Sequence, residues 1–239
     1  MGFFHTFLYA PIFNLLVWFY NVIPGGDIGF AIIALTVLMK LSLWPLMQTS
    51  LKSQKALQEI QPKIEELKEK HKDDKEALAK AMMEMYQEEK VNPLSSCMPI
   101  LIQLPILIAL YRVLLNGFGS ENFQYLYPFV QNPGEVNNIF LGIIDLAEAS
   151  LFLAVLAGIF QFFQTRMLIS SRPPKEVRGS KGSKDESMMA SMNKSMLYFM
   201  PIITVVIGAT LPGGLTLYWV TINIFSIIQQ SIVFKKKST

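Results

Sequence analysis

The chain has 239 residues, 51% of them hydrophobic, with a mean hydropathy of +0.36 and a formal net charge of +3. That hydropathy is high for a soluble domain, and one cysteine with two histidines excludes an internal disulfide framework and a His/Cys metal cluster. The net charge says little by itself, because the basic residues are sorted along the chain.

Residues 1–27 are apolar and contain no Lys or Arg. Pro11, Asn14 and Asn21 interrupt them, and Trp18, Tyr9 and Tyr20 add an aromatic content that suits a membrane interface. We read this stretch as an extracytoplasmic interfacial helix, with a sixth span as the alternative. No cleavable signal is expected, since no basic n-region precedes the apolar run. Residues 28–47 (IGFAIIALTVLMKLSLWPLM) have the length of a first span. Lys40 interrupts them, with no acidic residue nearby. A charge at such depth costs about 2.5–3.5 kcal/mol on insertion scales and marks function by default. Snorkelling of its long stem to the headgroups is the bland alternative.

The segment 48–94 reads as a helical hairpin. Leu57, Ile60, Ile64 and Leu67 recur at the 3-4-3 spacing of a paired seam. Leu78, Ala81, Met82 and Met85 form a second stripe after the His71–Asp74 break. Lys52, Lys55 and Lys63, with the adaptable Met82 and Met85, are candidate partner-docking residues; a solvated face with Met in the core is the plainer reading. Asn92 and Pro93 have the character of an N-cap and first helical position. A second span is expected over 95–116, with Gln103 between Pro99 and Pro105. An extracytoplasmic loop follows over 117–148, then a third span over 149–169 carrying Gln161, Gln164 and Thr165. The polar loop 170–195 is expected to be a cytoplasmic linker, leading to a fourth span over 196–211. A fifth span over 214–234 aligns Thr216, Trp219, Asn223, Ser226 and Gln230 on one face. A short basic tail, 235–239, closes the chain.

Segments 1–27 and 117–148 lack Lys and Arg, whereas 48–94, 166–195 and the tail carry all of the basic residues except Lys40 and Arg112. The positive-inside rule then places the N-terminus outside and the C-terminus in the cytoplasm. The expected fold class is all-α: a polytopic membrane protein of five transmembrane helices, a cytoplasmic helical hairpin and an N-terminal interfacial helix. Thr36, Lys40, Gln103, Gln161, Gln164, Thr216, Trp219 and Asn223 are the candidate lining of a shared hydrophilic groove. Interhelical hydrogen bonding, worth about 0.6 kcal/mol per contact, is the competing use of each neutral one.

Several strings resemble the YidC family of membrane protein insertases: AIIALTVLMKLSLWPL, LQEIQPKIEELKEKHKDDKEAL, NPLSSCMPILIQLP and LPGGLTLYWVTINIFSIIQQ. The resemblance covers nearly the whole chain in order. It implies a five-helix core in the bacterial inner membrane, with a groove open to the cytoplasm and to lipid but closed outside. It implies nascent membrane proteins as clients, handled alone or beside the secretion translocon, the ribosome as a candidate partner, and no direct nucleic-acid function. Lys40 falls where that family typically has arginine, a departure in which lysine keeps the charge but loses the planar fork of the guanidinium. Gln164 and Trp219 fall where it places other groove-lining side chains. Departures from some members of that family are also expected: no large extracytoplasmic domain before the first span, no long basic tail at Lys235–Thr239 and no lipobox cysteine near the N-terminus.

No cofactor or metal is expected, since no phosphate-binding Gly loop or nucleotide motif occurs. Two other function classes stay open. One is a small channel or transporter with Lys40 as an anion site. The other is a Ser-Lys hydrolase: Ser42 points to a different helix face from Lys40, and whether Ser226 reaches it is not set by sequence.

Overall fold

The computed structural model describes residues 2–71, 74–92, 98–116, 122–169 and 183–235. Pro93, Cys97, the loop at 170–182 and the tail at 236–239 lie outside the described residues, as do 117–121.

A π-helical turn, His5–Tyr9, runs into α1, Ala10–Val22. Helix α2, Ile28–Ser42, opens on Asp27. One Asp27 oxygen accepts from the Gly29 N–H at 2.7 Å and the other from the Leu141 N–H at 2.9 Å. A single carboxylate thus caps the helix and fastens a distant loop to it. The sequence suggests one span over 28–47, but α2 stops at Ser42 and α3, Trp44–Glu59, departs from it at 68°. The cause is local. Pro45 has no N–H with which to continue the ladder, and its ring crowds the backbone before it.

Helices α4, Gln61–Lys70, and α5, Lys75–Glu88, fold back on one another. Ile60, Ile64 and Met85 are buried between them, ringed by Leu57, Leu67, Met82, Tyr86 and Val91. Asp74 caps α5 by accepting from the N–H groups of Glu76 and Ala77 at 3.1 and 3.0 Å.

The remaining helices are α6, Met98–Asn116, α7, Leu151–Ile169, α8, Ser183–Gly208, and α9, Gly213–Lys235. Pro105 lies inside α6 and Pro201 inside α8. Helix α8 begins well before the expected boundary at 196, and its apolar part is the shorter stretch Ser195–Gly208. Among the described residues three helices are long and apolar enough to cross a bilayer, Met98–Asn116, Leu151–Leu168 and Gly213–Phe234. The bent pair of α2 and α3 makes a fourth if taken as one span.

The all-α expectation misses one small feature. Strands β1, Ile139–Phe140, and β2, Ile144–Asp145, form an antiparallel hairpin in which Ile139 pairs with Asp145. Its turn needs the left-handed backbone at Leu141 and Gly142. Phe140 lies on Gly29 so closely that a Cβ there would stand 2.1 Å from its ring.

The starts of α7 and α9 sit together. Gly213 N–H donates to Glu148 O at 2.7 Å, and Gly214 N–H to Leu146 O at 2.9 Å. Gly214 also faces Ile32 of α2 and Leu114 near the end of α6. The first half of α2, the last half of α6 and the first half of α9 therefore share one end of the bundle, which holds the apolar core. Phe13, Leu16, Ile28, Ile32, Leu35, Leu110, Val113 and Tyr218 are at most 1% exposed there. Val130, Phe140 and Leu146 of the connecting loop cap it. Helix α1 contributes a full face, Ile12, Phe13, Leu16 and Val17, and so is built into the bundle. Trp18, Leu15 and Val22 on its other side stay exposed.

Candidate functional site: a polar half of the bundle around Lys40

Each core helix changes character at about the same level. On α2 the buried residues run Ile28, Ala31, Ile32, Leu35 and then Thr36 and Lys40. On α9 they run Leu215, Leu217, Tyr218, Val220 and Ile222, with Thr216 among them, and then Asn223, Ser226, Gln229 and Gln230, followed by Val233. On α7, Leu153, Ala154 and Ala157 give way to Gln161 and Thr165 on the same stripe. Helix α6 runs the other way and shows the mirrored order: Gln103 comes first, then Ala109, Leu110 and Val113. One end of the bundle is thus packed hydrocarbon and the other is lined with amides, hydroxyls and one ammonium.

Lys40 is the centre of the polar half. It is 9% exposed, and its Nζ donates to Ser226 Oγ at 3.4 Å, a long hydrogen bond. This serine is the one whose reach the sequence leaves open. Ser42 instead donates to Leu38 O at 2.9 Å and is exposed. An ammonium has three protons to place, and no ion pair to Lys40 occurs among the described residues. One turn beyond Ser226, Gln230 is 2% exposed and its Oε1 has no hydrogen-bond partner among the described residues.

The other candidates sort into two groups. Thr36 donates to Ile32 O at 2.6 Å, Thr216 to Gly208 O at 3.1 Å, and Asn223 Nδ2 to Ala157 O at 3.2 Å. All three are 2% exposed or less. Each places a donor on a backbone carbonyl, and for Thr216 and Asn223 the bond crosses between helices, which is the gluing use of such residues. Thr216 also sits at the apolar end, away from the polar half. Gln103 Nε2 donates to Tyr218 Oη and so stands at the boundary between the two halves. Gln161, Gln164 and Trp219 are half-buried.

Two residues outside the expected set matter. Gln229, 2% exposed, donates from Nε2 to Trp44 O at 3.4 Å, the first residue of α3. Trp44 meets Phe225 edge-on with ring centroids 5.7 Å apart. Together they hold the bent helix against α9 beside Ser226. Gln229 lies off the 3-4-3-4 stripe, so periodicity does not flag it.

The docking candidates lie on the arm. Lys52 is exposed. Lys55 Nζ stands 5.6 Å from the Phe234 ring centroid, a cation–π contact between α3 and the end of α9. Lys63 pairs with Glu89, and the hydrogen bond and charge of that carboxylate raise the Lys63 pKa. Met85 is 7% exposed and fills the hairpin's own core, with Met82 packed against it. The methionine that remains accessible is Met83, 63% exposed.

Residues 18–239 match the sequence profile of the family described as 60Kd inner membrane protein. The chain belongs to that family. It is similar to a protein of Fusobacterium nucleatum subsp. nucleatum named Membrane protein insertase YidC, 34% identical over 233 residues that cover 97% of this chain and 98% of the relative. A protein of the same name from Francisella philomiragia subsp. philomiragia is 34% identical over 222 residues, covering 92% of this chain and 35% of the relative. The one from Francisella tularensis subsp. novicida is 35% identical with the same coverage. The chain therefore spans about a third of the Francisella relatives and nearly all of the Fusobacterium one. A solved structure described as an active YidC insertase with the first transmembrane domain resolved superposes with a TM-score of 0.58. It is 22% identical, and the match covers 100% of this chain and 47% of that one, a likeness of fold. The family is described as an inner membrane protein, and the several long apolar helices of this chain are those of a multi-pass membrane protein.

Proposed function

We propose that this chain is a membrane protein insertase of the bacterial inner membrane. It draws the hydrophilic tail of a nascent membrane protein into the polar half of the bundle and releases the apolar segment into lipid. Family membership and the similarity to proteins named as insertases support the class of activity. The observation that carries the mechanism is Lys40, enclosed in the polar half with Ser226 as its one described hydrogen-bond partner.

The physics follows from that placement. A charged tail crossing intact hydrocarbon loses hydration worth several kcal/mol or more per charge. A polar half-channel shortens the dry path to the thickness of the apolar core. An acidic group brought to 4 Å from Lys40 gains about 4 kcal/mol at an effective dielectric near 20, before desolvation. The client's apolar segment then leaves along the third and fifth spans, α7 and α9, whose outer faces expose Val155, Ile159, Phe163, Ile228 and Ile232. Hydrophobic partition drives that last step. In this reading the polar half opens to the cytoplasm, the N-terminus lies outside, the hairpin of α4 and α5 projects inside as a docking arm, and the loop-capped apolar end is the outer seal. The work is positional, and nascent membrane proteins are the partners, with the translocon and ribosome as further ones.

Reconstituted insertion of a client with an acidic tail tests the reading. Lys40→Arg should retain insertion and Lys40→Ala should lose most of it. Equal activity in all three proteins would remove the charge from the mechanism.

A further inference from the structure

On the outer side of α7 and α9 there is a recess of about 440 Å³, lined by Phe160, Phe163, Met167 and Ile227, with Arg166 on its wall. Its floor and rim are apolar. Phe163 is 49% exposed, and Ile159, Ile224 and Ile228 continue the apolar surface at 47%, 36% and 52%. Arg166 is the exception. It is exposed in the last turn of α7, and no described side chain or backbone group forms an ion pair or hydrogen bond with it.

The position sets the kind of guest. Arg166 lies fifteen residues after Leu151, so about 22 Å along the helix, near the end of a span that crosses hydrocarbon of roughly 30 Å. A guanidinium there reaches the headgroup layer while the rings before it stay in hydrocarbon. The recess is built from two turns of α7 and one residue of α9. A client helix, about 10–12 Å across with its side chains, needs a longer and wider trough. A single hydrocarbon chain does not. A guanidinium with five donors matches a phosphate diester, which accepts in the same plane. We propose that this recess is a binding site for an anionic phospholipid, with one acyl chain against Phe160, Phe163 and Ile227 and the phosphate on Arg166. The site is separate from Lys40 but shares the α7–α9 face, Phe163 included, along which the proposed client segment leaves.

Native mass spectrometry of the full chain in mild detergent tests it, using equimolar phosphatidylglycerol and phosphatidylcholine with the same acyl chains. Wild-type protein should retain phosphatidylglycerol over phosphatidylcholine by about five-fold, the factor expected for one basic residue at an anionic surface. Arg166→Gln should abolish the preference and Arg166→Lys should keep part of it. Arg112→Gln, at the other end of the bundle beside the Phe4 ring, should leave it unchanged. Soluble glycerol phosphate should not displace the lipid. Equal retention of the two lipids, an Arg166→Gln protein that behaves as wild type, loss of the preference in Arg112→Gln, or displacement by glycerol phosphate would each overturn the proposal.

Discussion

The two halves of the bundle are made of the same helices and solve opposite problems. At the Gly213 end the helices close on one another over Phe13, Leu35, Leu110 and Tyr218, with a loop laid across the top. In this half Asn14 is tied on both sides: its Nδ2 donates to Ala10 O and Tyr125 O, both at 2.9 Å, and its Oδ1 accepts from the Tyr127 N–H at 2.6 Å, while the buried His5 Nδ1 beside Tyr9 has no hydrogen-bond partner among the described residues. At the other end Lys40 keeps one long hydrogen bond and Gln230 Oε1 has none among the described residues. Buried polar groups are normally satisfied, and under the proposed function those left short around Lys40 await a guest such as water or a passing chain. In the proposed function one end of the bundle holds shape and the other accepts the client.

The comparison breaks at its strongest point if Lys40 is dispensable. Lys40→Ala should lower insertion of an acidic-tailed client by about tenfold or more, which is ~1.4 kcal/mol or above, and should leave the unfolding midpoint in detergent nearly unchanged. A large loss of stability with normal insertion would make Lys40 a packing residue of an ordinary core.

The apolar half should respond in the opposite way. Gly29→Ala puts a Cβ 2.1 Å from the Phe140 ring, and Gly158→Ala puts one 2.4 Å from Val205 Cγ2 and 3.1 Å from Pro201 O. Neither a ring nor a β-branched side chain yields easily, so each should destabilise by about 1–3 kcal/mol, read as a lower unfolding midpoint. Asn14→Leu should cost somewhat less, ~1–2 kcal/mol, because it strands the Tyr125 carbonyl and the Tyr127 N–H beneath the loop. Proteolysis within 122–135 should then quicken before the helices melt.

The smallest effect belongs to the arm. Lys63 and Glu89 are 58% and 33% exposed, and exposed pairs contribute little. Because Glu89 raises the Lys63 pKa above the ordinary 10.5, the pair's contribution is complete below that value and fades only as pH climbs through the raised one. Lys63→Ala should therefore leave helicity at pH 7 unchanged within error, and wild-type helicity should be flat from pH 6 to 9.

What could be read from sequence was whatever repeats along one element. The seam of Leu57, Ile60, Ile64 and Leu67 folds as its spacing implies, with Met85 closing it from α5. Asn223, Ser226 and Gln230 are buried on one face of α9 as their spacing predicts. What could not be read depends on partners far away in the chain. Pro45, which breaks the helix, is visible in the sequence, but the contacts of Trp44 with Phe225 and Gln229 that hold α3 in its 68° direction lie about 180 residues later. Helix α1 looks interfacial from its aromatics, yet Phe13 and Leu16 are wholly buried because α2 and α6 supply a matching face. Thr36, Thr216 and Asn223 fit the groove pattern by type and spacing, while the carbonyls that occupy them are backbone groups that no pattern of side chains reveals.

The most direct measurement is water access at position 40. In a Cys97→Ser background, Lys40→Cys is treated with a membrane-impermeant maleimide from the cytoplasmic side. Leu35→Cys reports the sealed core, Leu38→Cys the outward face of α2, where the native residue is 39% exposed, and Lys52→Cys the freely labelled arm. The account predicts labelling at 40 and 52 and protection at 35 and 38, with faster labelling at 40 when Trp44→Ala loosens α3 from α9. Protection at 40 alongside full labelling at 52 would contradict it, and Lys40 would then belong to a dry bundle.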